Sequence, residues 1–206
     1  MLVGGAPVDE GMLARIAARC DKVIAADGGA DRLAATKIRP DAIIGDIDSL
    51  RHPQGWDAPV HRLAEQETTD FDKCLRSVKA PLHLCVGFTG GLMDHALAAF
   101  ASIARSNRAA ILIGDGDLCF RAWSGMHLEL PADLRVSLFP MGRTRGRSKG
   151  LRWPLDGLEL DPAGRIATSN RATGPIEIAF DGGPLLAILP LEALDHVSGV
   201  LEAQRS

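Results

Sequence analysis

The chain has 206 residues, 46% of them apolar, and a formal net charge of −3, enough to bury a sizeable core as one large domain or two small ones. Such near-balance argues against a disordered tail or a nucleic-acid-coating protein, and no nucleic acid is expected as a partner. Charges, Gly or Pro interrupt every apolar run short of the roughly 20 residues that cross a bilayer, so no membrane partner is expected. The start, "MLVGGAPVDEG", lacks a basic segment followed by an apolar one, which makes the cytoplasm the expected location. Cys20, Cys74, Cys85 and Cys119 are scattered without a CxxC pair, as for reduced, mostly buried thiols rather than a zinc site or disulfide framework.

In chain order, Leu2-Val3 before Gly4-Gly5 reads as the end of a strand entering a turn. Asp9 can cap a helix carrying Met12, Leu13, Ile16 and Ala17 on one face. Val23 to Ala26 forms a buried strand ending at Asp27-Gly28-Gly29, and the turn opens a helix over "ADRLAAT". After Pro40 comes the strand of "AIIGDIDSL", and "APLHLCVGF" and "RAAILIG" supply two more. Between these two, "LMDHALAAFASIAR" has helical spacing. Strands alternating with helices predict an α/β fold with a parallel sheet covered on both faces.

Beyond about Gly116 the pattern changes. "MHLELP", "RVSLFPM", "LRWPLDGLEL", "IEIAFDGG" and "LLAILPLE" are short, partly alternating segments separated by turn residues, which predicts a small antiparallel β domain. The boundary falls between residues 115 and 122, giving domains 1–118 and 119–206. "RTRGRSKG" places Arg143, Arg145, Arg147 and Lys149 at alternate positions with no aromatic between them, and is expected to be a solvated hairpin tip.

Ligands of open parallel sheets bind beyond the carboxyl ends of the strands. Asp46 and Asp48 follow one predicted strand and Asp27-Gly28-Gly29 another, so both loops should face one crevice. Residues two apart on an extended chain point to opposite sides, but a turn preceded by Gly45 can bring the two carboxylates together. Without a cation that convergence is costly. Mg²⁺, which takes carboxylate, phosphate and water oxygens, removes the cost. In "EQETTDFDKCL", Asp70 can complete a metal site, or it can serve a helix start capped by Thr68 or Thr69; the two roles are compatible. Thr89-Gly90-Gly91 precedes a helix whose free N–H groups can take phosphate, with Asp94 and His95 on its first turn. It is neither a P-loop nor a clean GxGxxG fingerprint.

Taken in order, "AADGGADRL", "PDAIIGDIDSL", "ETTDFDKCL", "GGLMDH", "GLRWPL" and "TSN" resemble the motifs of the thiamin pyrophosphokinase family over nearly the whole chain. The resemblance implies an N-terminal Rossmann-like α/β domain, a smaller C-terminal β-sandwich that binds thiamin, and a homodimer with active sites at the subunit interface. It implies ATP and thiamin as substrates and Mg²⁺ as cofactor. By the same resemblance Asp46, Asp48 and Asp70 are the metal ligands and act in catalysis with Lys73. Asp27, Gly28, Gly29, Ser49, Thr69, Gly90, Gly91 and Asp94 surround the nucleotide, and Gln66, Trp153, Ser169 and Asn170 line the thiamin site. The chain departs from the family pattern at Glu67, where aspartate is usual, and at Leu92, where arginine is usual. Two other readings stay open: a phosphohydrolase using the DxD pair with one aspartate as nucleophile, and a binding regulator without catalysis.

Overall fold

The computed structural model describes residues 1–51, 55–114 and 116–204. Its contacts divide into two compact units, Met1–Ser102 with Leu112–Asp115 and Ile103–Ile111 with Gly116–Ser206. The chain is α/β, with parallel strand pairs in the first unit and antiparallel pairs in the second.

The first unit carries β1 (Leu2–Val3), α1 (Glu10–Ala17), β2 (Ile24–Ala26), α2 (Gly29–Ala34), β3 (Ala42–Gly45), β4 (Val60–Arg62), α3 (Asp70–Ser77), β5 (His83–Val86) and α4 (Met93–Arg105), in which α4 ends just past the unit's limit. Next comes β6 (Ala110–Gly114). The strand order is β6-β5-β1-β2-β3-β4. Each of β1, β2 and β3 is nearly all apolar and buried, as strands covered on both faces must be. The short β4 is fully exposed and lies at the edge; it has no apolar alternation, and the sequence pattern did not reveal it.

Local signals start the helices where expected. The Asp9 side chain accepts from the Met12 N–H at 2.9 Å at the start of α1, and Leu13 and Ile16 are the residues it buries. At α3 the cap is Thr69: its hydroxyl accepts from the Asp72 N–H, and the Asp72 carboxylate accepts from the Thr69 N–H. This reciprocal pair satisfies two of the donors a helix start leaves open.

The second unit contains β7 (Asp117–Arg121), β8 (Met126–Leu128), β9 (Arg135–Pro140), β10 (Thr144–Leu151), β11 (Leu158–Leu160), β12 (Ala167–Gly182), β13 (Leu185–Pro190), a 3₁₀ turn over Leu191–Ala193 and α5 (Leu194–Ala203). Its order is β11-β10-β12-β9-β13-β7, with β8 also on β12. The expectation of a hairpin tip at "RTRGRSKG" is corrected, because all of that run after Arg143 lies within β10, which pairs with both β11 and β12. Alternation explains it. Thr144, Gly146 and Leu151 turn inward while Arg145, Arg147 and Lys149 face solvent, and Arg145 and Lys149 meet Glu159 and Glu177 on neighbouring strands. Cross-strand pairing of opposite charges stabilises a strand that composition alone marks as a loop. Gly150, at φ +73°, allows the β10 bulge, since a Cβ there would lie 1.9 Å from the Pro175 carbonyl oxygen.

The helix α5 follows β13 without a sequence expectation. It buries Leu194, Val197 and Leu201, a spacing that the predicted strand "LLAILPLE" ran up against. Cys74, Cys85 and Cys119 are buried free thiols and Cys20 is a half-buried one. Burial raises the thiol pKa of Cys74 and of Cys119 to about 12, which fits structural rather than reactive cysteines. Among the described residues no helix is long and apolar enough to cross a membrane.

Candidate active site

Beyond the carboxyl ends of β1, β2, β3 and β5, loops of the first unit enclose a cavity of about 830 Å³. Gly4 and Gly5 follow β1, Asp27 and Gly28 follow β2, Asp46, Asp48 and Ser49 follow β3, and Gly87 and Phe88 follow β5. The rule for open parallel sheets thus places these residues at one crevice. The rings of Phe71 and Phe88 stack beside it with centroids 4.1 Å apart.

One carboxylate oxygen each from Asp27, Asp46 and Asp48 lies within 4.8 Å of the others. The turn that makes this possible is not built on glycine as the sequence suggested. Ile47, between the two aspartates, sits at φ +67°, a left-handed conformation that a β-branched residue adopts only under constraint. Gly45 serves a different purpose, for a Cβ there would stand 2.8 Å from Asp27 Cβ and 3.1 Å from Asp70 Oδ1. A glycine at the end of β3 is what lets these two carboxyl-bearing residues approach.

Lys73 lies beneath them with only 1% of its side chain exposed. Its ammonium is 2.9 Å from Asp70 Oδ1 and 3.4 Å from Asp46 Oδ2. Burial by itself lowers the lysine's pKa, but Asp70 and Asp46 raise it by more, and the net direction is up. Burial likewise pushes Asp46 up, while the Gln66 amide, which donates to Asp46 Oδ2 at 2.9 Å, and Lys73 bring it down on balance. Glu65 holds this loop. It accepts from the backbone of Glu67 and Thr68 and from the Thr68 hydroxyl and pairs with Arg76, so its pKa falls to about 2.

Asp27 behaves differently. It is 3% exposed. Burial pushes its carboxyl up, donation from Ser49 pulls it partly back, and the nearby Asp70 and Asp46 charges push it up again. Asp27 Oδ1 and Asp46 Oδ1 are both buried without a donor among the described residues. Buried carboxylate oxygens without donors, on two members of the same acidic cluster, fit a hard cation, whose charge and coordination would satisfy them.

This predicts an effect on stability. A folded-state pKa above the unfolded value means that the folded chain holds the Asp27 proton longer, so Asp27 weakens folding as pH rises above about 4. In the metal-free protein, Asp27→Asn is therefore expected to raise the melting temperature at neutral pH by about 2–4 °C, the equivalent of about 1 kcal/mol from one relieved buried group. The difference should vanish below about pH 4, and thermal melts across pH in chelator measure it.

Of the residues expected around a nucleotide, Asp27, Gly28, Ser49, Thr69 and Gly91 line the cavity, together with Asp46, Asp48, Gln66, Asp70 and Lys73. Gly29, Gly90 and Asp94 do not. Gly29 packs α2 on β1, since a Cβ there would meet the Val3 carbonyl oxygen at 2.0 Å, and Asp94 accepts from the His95 N–H. Arg32, Arg51 and His95 line the cavity without having been expected there. For Arg32 the signal was present: it stands one helical turn after Gly28, on the same side as that loop.

Trp153, Ser169 and Asn170 belong to the second unit. Trp153 is 56% exposed, with the Arg152 guanidinium 5.8 Å from its ring centroid. Ser169, at φ +59°, and Asn170 lie within β12, at a shift in its pairing with β9. The buried Asn170 amide donates to the Trp153 carbonyl oxygen at 2.6 Å and accepts from the N–H groups of Trp153 and Arg171. Asn170 thus holds the backbone at Trp153. Asn170→Ala is expected to cost about 2 kcal/mol of stability, read by urea denaturation, because three backbone groups lose their partner.

Two family models match the chain. The thiamin pyrophosphokinase catalytic domain covers residues 13–113, and the thiamin pyrophosphokinase vitamin B1 binding domain covers residues 127–192. Among curated proteins, thiamine pyrophosphokinase 2 of Arabidopsis thaliana and thiamine pyrophosphokinase 3 of Oryza sativa subsp. japonica are each 26% identical, over 71% of this chain and 69% of theirs. Among solved structures, thiamin pyrophosphokinase from Candida albicans superposes with a TM-score of 0.77 at 15% identity, covering 92% of this chain and 88% of its own. The yeast enzyme gives 0.74 at 19% identity, covering 98% and 87%. These structural likenesses concern the fold.

Proposed function

Because the chain belongs to the thiamin pyrophosphokinase family, we propose that the cavity of its first unit is where ATP is bound with Mg²⁺ and its pyrophosphoryl group is transferred. The activity is that of a thiamin diphosphokinase: the hydroxyl of thiamin takes the pyrophosphoryl group of ATP, and thiamin diphosphate and AMP result. The observation that carries the assignment of the site is the cluster of Asp27, Asp46 and Asp48 with its two orphaned oxygens, beside a buried lysine.

Asp46, Asp48 and Asp70 would hold the metal, and the geometry adds Asp27 to that set. Bound there, a divalent ion neutralises negative charge on the phosphate oxygens. Lys73 holds the Asp46 and Asp70 carboxylates in place, and adds positive charge where the phosphates come to lie. Gly28, Ser49, Thr69 and Gly91 would shape the nucleotide's surroundings through backbone N–H groups and short side chains.

Residues 1–118 form the catalytic domain in this proposal and residues 119–206 a thiamin-binding β-sandwich. Trp153 offers an aromatic face to the cationic thiazolium, at the expense of its contact with Arg152. Ser169 would line the same surface, and Asn170 acts by holding Trp153. Gln66 is proposed as a further thiamin contact. The substrate sites are proposed to be completed at the subunit interface of a homodimer, in the cytoplasm, where thiols stay reduced.

Mass analysis of products from ATP, Mg²⁺ and thiamin tests the function. Thiamin diphosphate and AMP in equal amounts, and AMP only when thiamin is present, are expected. Phosphate release without thiamin would instead indicate a phosphohydrolase, and binding without turnover a regulator.

A further inference from the structure

We propose that Arg32 is the residue that receives the phosphate tail of the nucleotide in this chain. The inference rests on the reading of the first-unit cavity as the ATP site. Five carboxylates line that cavity against Arg32, Arg51 and Lys73 as its permanent cations. A triphosphate entering among so many acidic groups needs positive charge beyond that of the metal.

Lys73 is already committed, with Asp70 and Asp46 both on its ammonium. Leu92 stands on the cavity wall 65% exposed and brings no donor. Arg32 is exposed, and its Nε donates to the Gly5 carbonyl oxygen at 2.6 Å. That single bond anchors the guanidinium to the loop after β1, at the mouth of the strands. It leaves the terminal N–H groups, a planar fork suited to two phosphate oxygens. Anchoring also reduces the side-chain freedom lost on binding, which a free surface lysine would lose in full. Arg51 is the other cation on the wall, and its backbone N–H is held by Asp31 at 3.2 Å.

The test is a steady-state comparison of wild type, Arg32→Gln, Arg51→Gln and the double variant Arg32→Gln/Leu92→Arg, with circular dichroism to establish that each is folded. In Arg32→Gln the KM for Mg–ATP should rise about tenfold or more while the KM for thiamin stays unchanged. Leu92→Arg, which adds a guanidinium to the lining of the same cavity, should recover much of that loss. An unchanged KM for Mg–ATP in Arg32→Gln overturns the proposal, and so does a loss seen only in Arg51→Gln. If wild type forms no thiamin diphosphate, the functional reading falls by itself. Calorimetric titration with a nonhydrolysable ATP analogue and Mg²⁺ then decides Arg32 separately: about tenfold weaker binding in Arg32→Gln supports the role, and equal binding removes it.

Discussion

Asp46→Asn and Asp70→Asn are each expected to reduce thiamin diphosphate formation by about a hundredfold to a thousandfold while the chain remains folded. Both carboxylates sit on the cavity side of their elements and contribute charge rather than packing; their side chains are 12% and 28% exposed. Neither amide can replace an anionic ligand, and each leaves Lys73 with one charged partner instead of two. Melting curves with rising Mg²⁺ give a second readout. The shift that the ion produces in wild type through binding only the folded state should shrink in both variants. Near-normal turnover in both would place the chemistry elsewhere in the chain.

Lys73→Met should be strongly destabilising. A buried ammonium pairs with two carboxylates, and removing it leaves Asp46 and Asp70 facing each other beside Asp27. Breaking a buried pair typically costs about 3–5 kcal/mol, and the partial exposure of both aspartates places this case at about 3 kcal/mol or below. The pH dependence should change with it. The depressed Asp46 pKa contributes stability that is present above the ordinary carboxylate value and lost as pH falls through its folded value. The raised Lys73 pKa contributes stability present below the ordinary lysine value and lost as pH rises through its folded one. In wild type the Asp46 and Lys73 contributions should therefore both be fully present between about pH 5 and pH 10, with the loss due to Asp27 superimposed on the acid side of that window, and in Lys73→Met the acid limb due to Asp46 should flatten. Mg²⁺ should recover part of the lost stability by substituting for the missing charge. Urea denaturation across pH, with and without Mg²⁺, measures all three effects. Activity should fall as well, and Lys73→Arg should restore neither activity nor stability in full, because the larger planar guanidinium does not fit the compact buried position between two carboxylates.

The local elements of the first unit were legible because their signals are local. Asp9 and Thr69 are side chains that reach only three residues along the chain to satisfy helix donors. The strands before Gly4, Asp27 and Asp46 are short apolar runs stopped by turn residues. The second unit was legible in kind but not in detail. Charges at alternate positions in β10 look like a loop until Glu159 and Glu177, 14 and 28 residues further on, are set opposite them. Similarly, β4 and α5 take their place from neighbours rather than from a strong pattern of their own.

By itself the sequence determined which acidic and glycine-rich loops end which strands, and, through the order of its motifs, to which family the chain is related. Tertiary structure decided what those groups do to one another: that Ile47 and not Gly45 turns the aspartate pair, that Lys73 lies buried beside it, that two carboxylate oxygens are left without donors among the described residues, and that Arg32 lines the same cavity as Leu92. The physical reason is range. Capping and turn preferences act over three or four residues, whereas charge and desolvation depend on which distant segments the fold brings within a few ångströms.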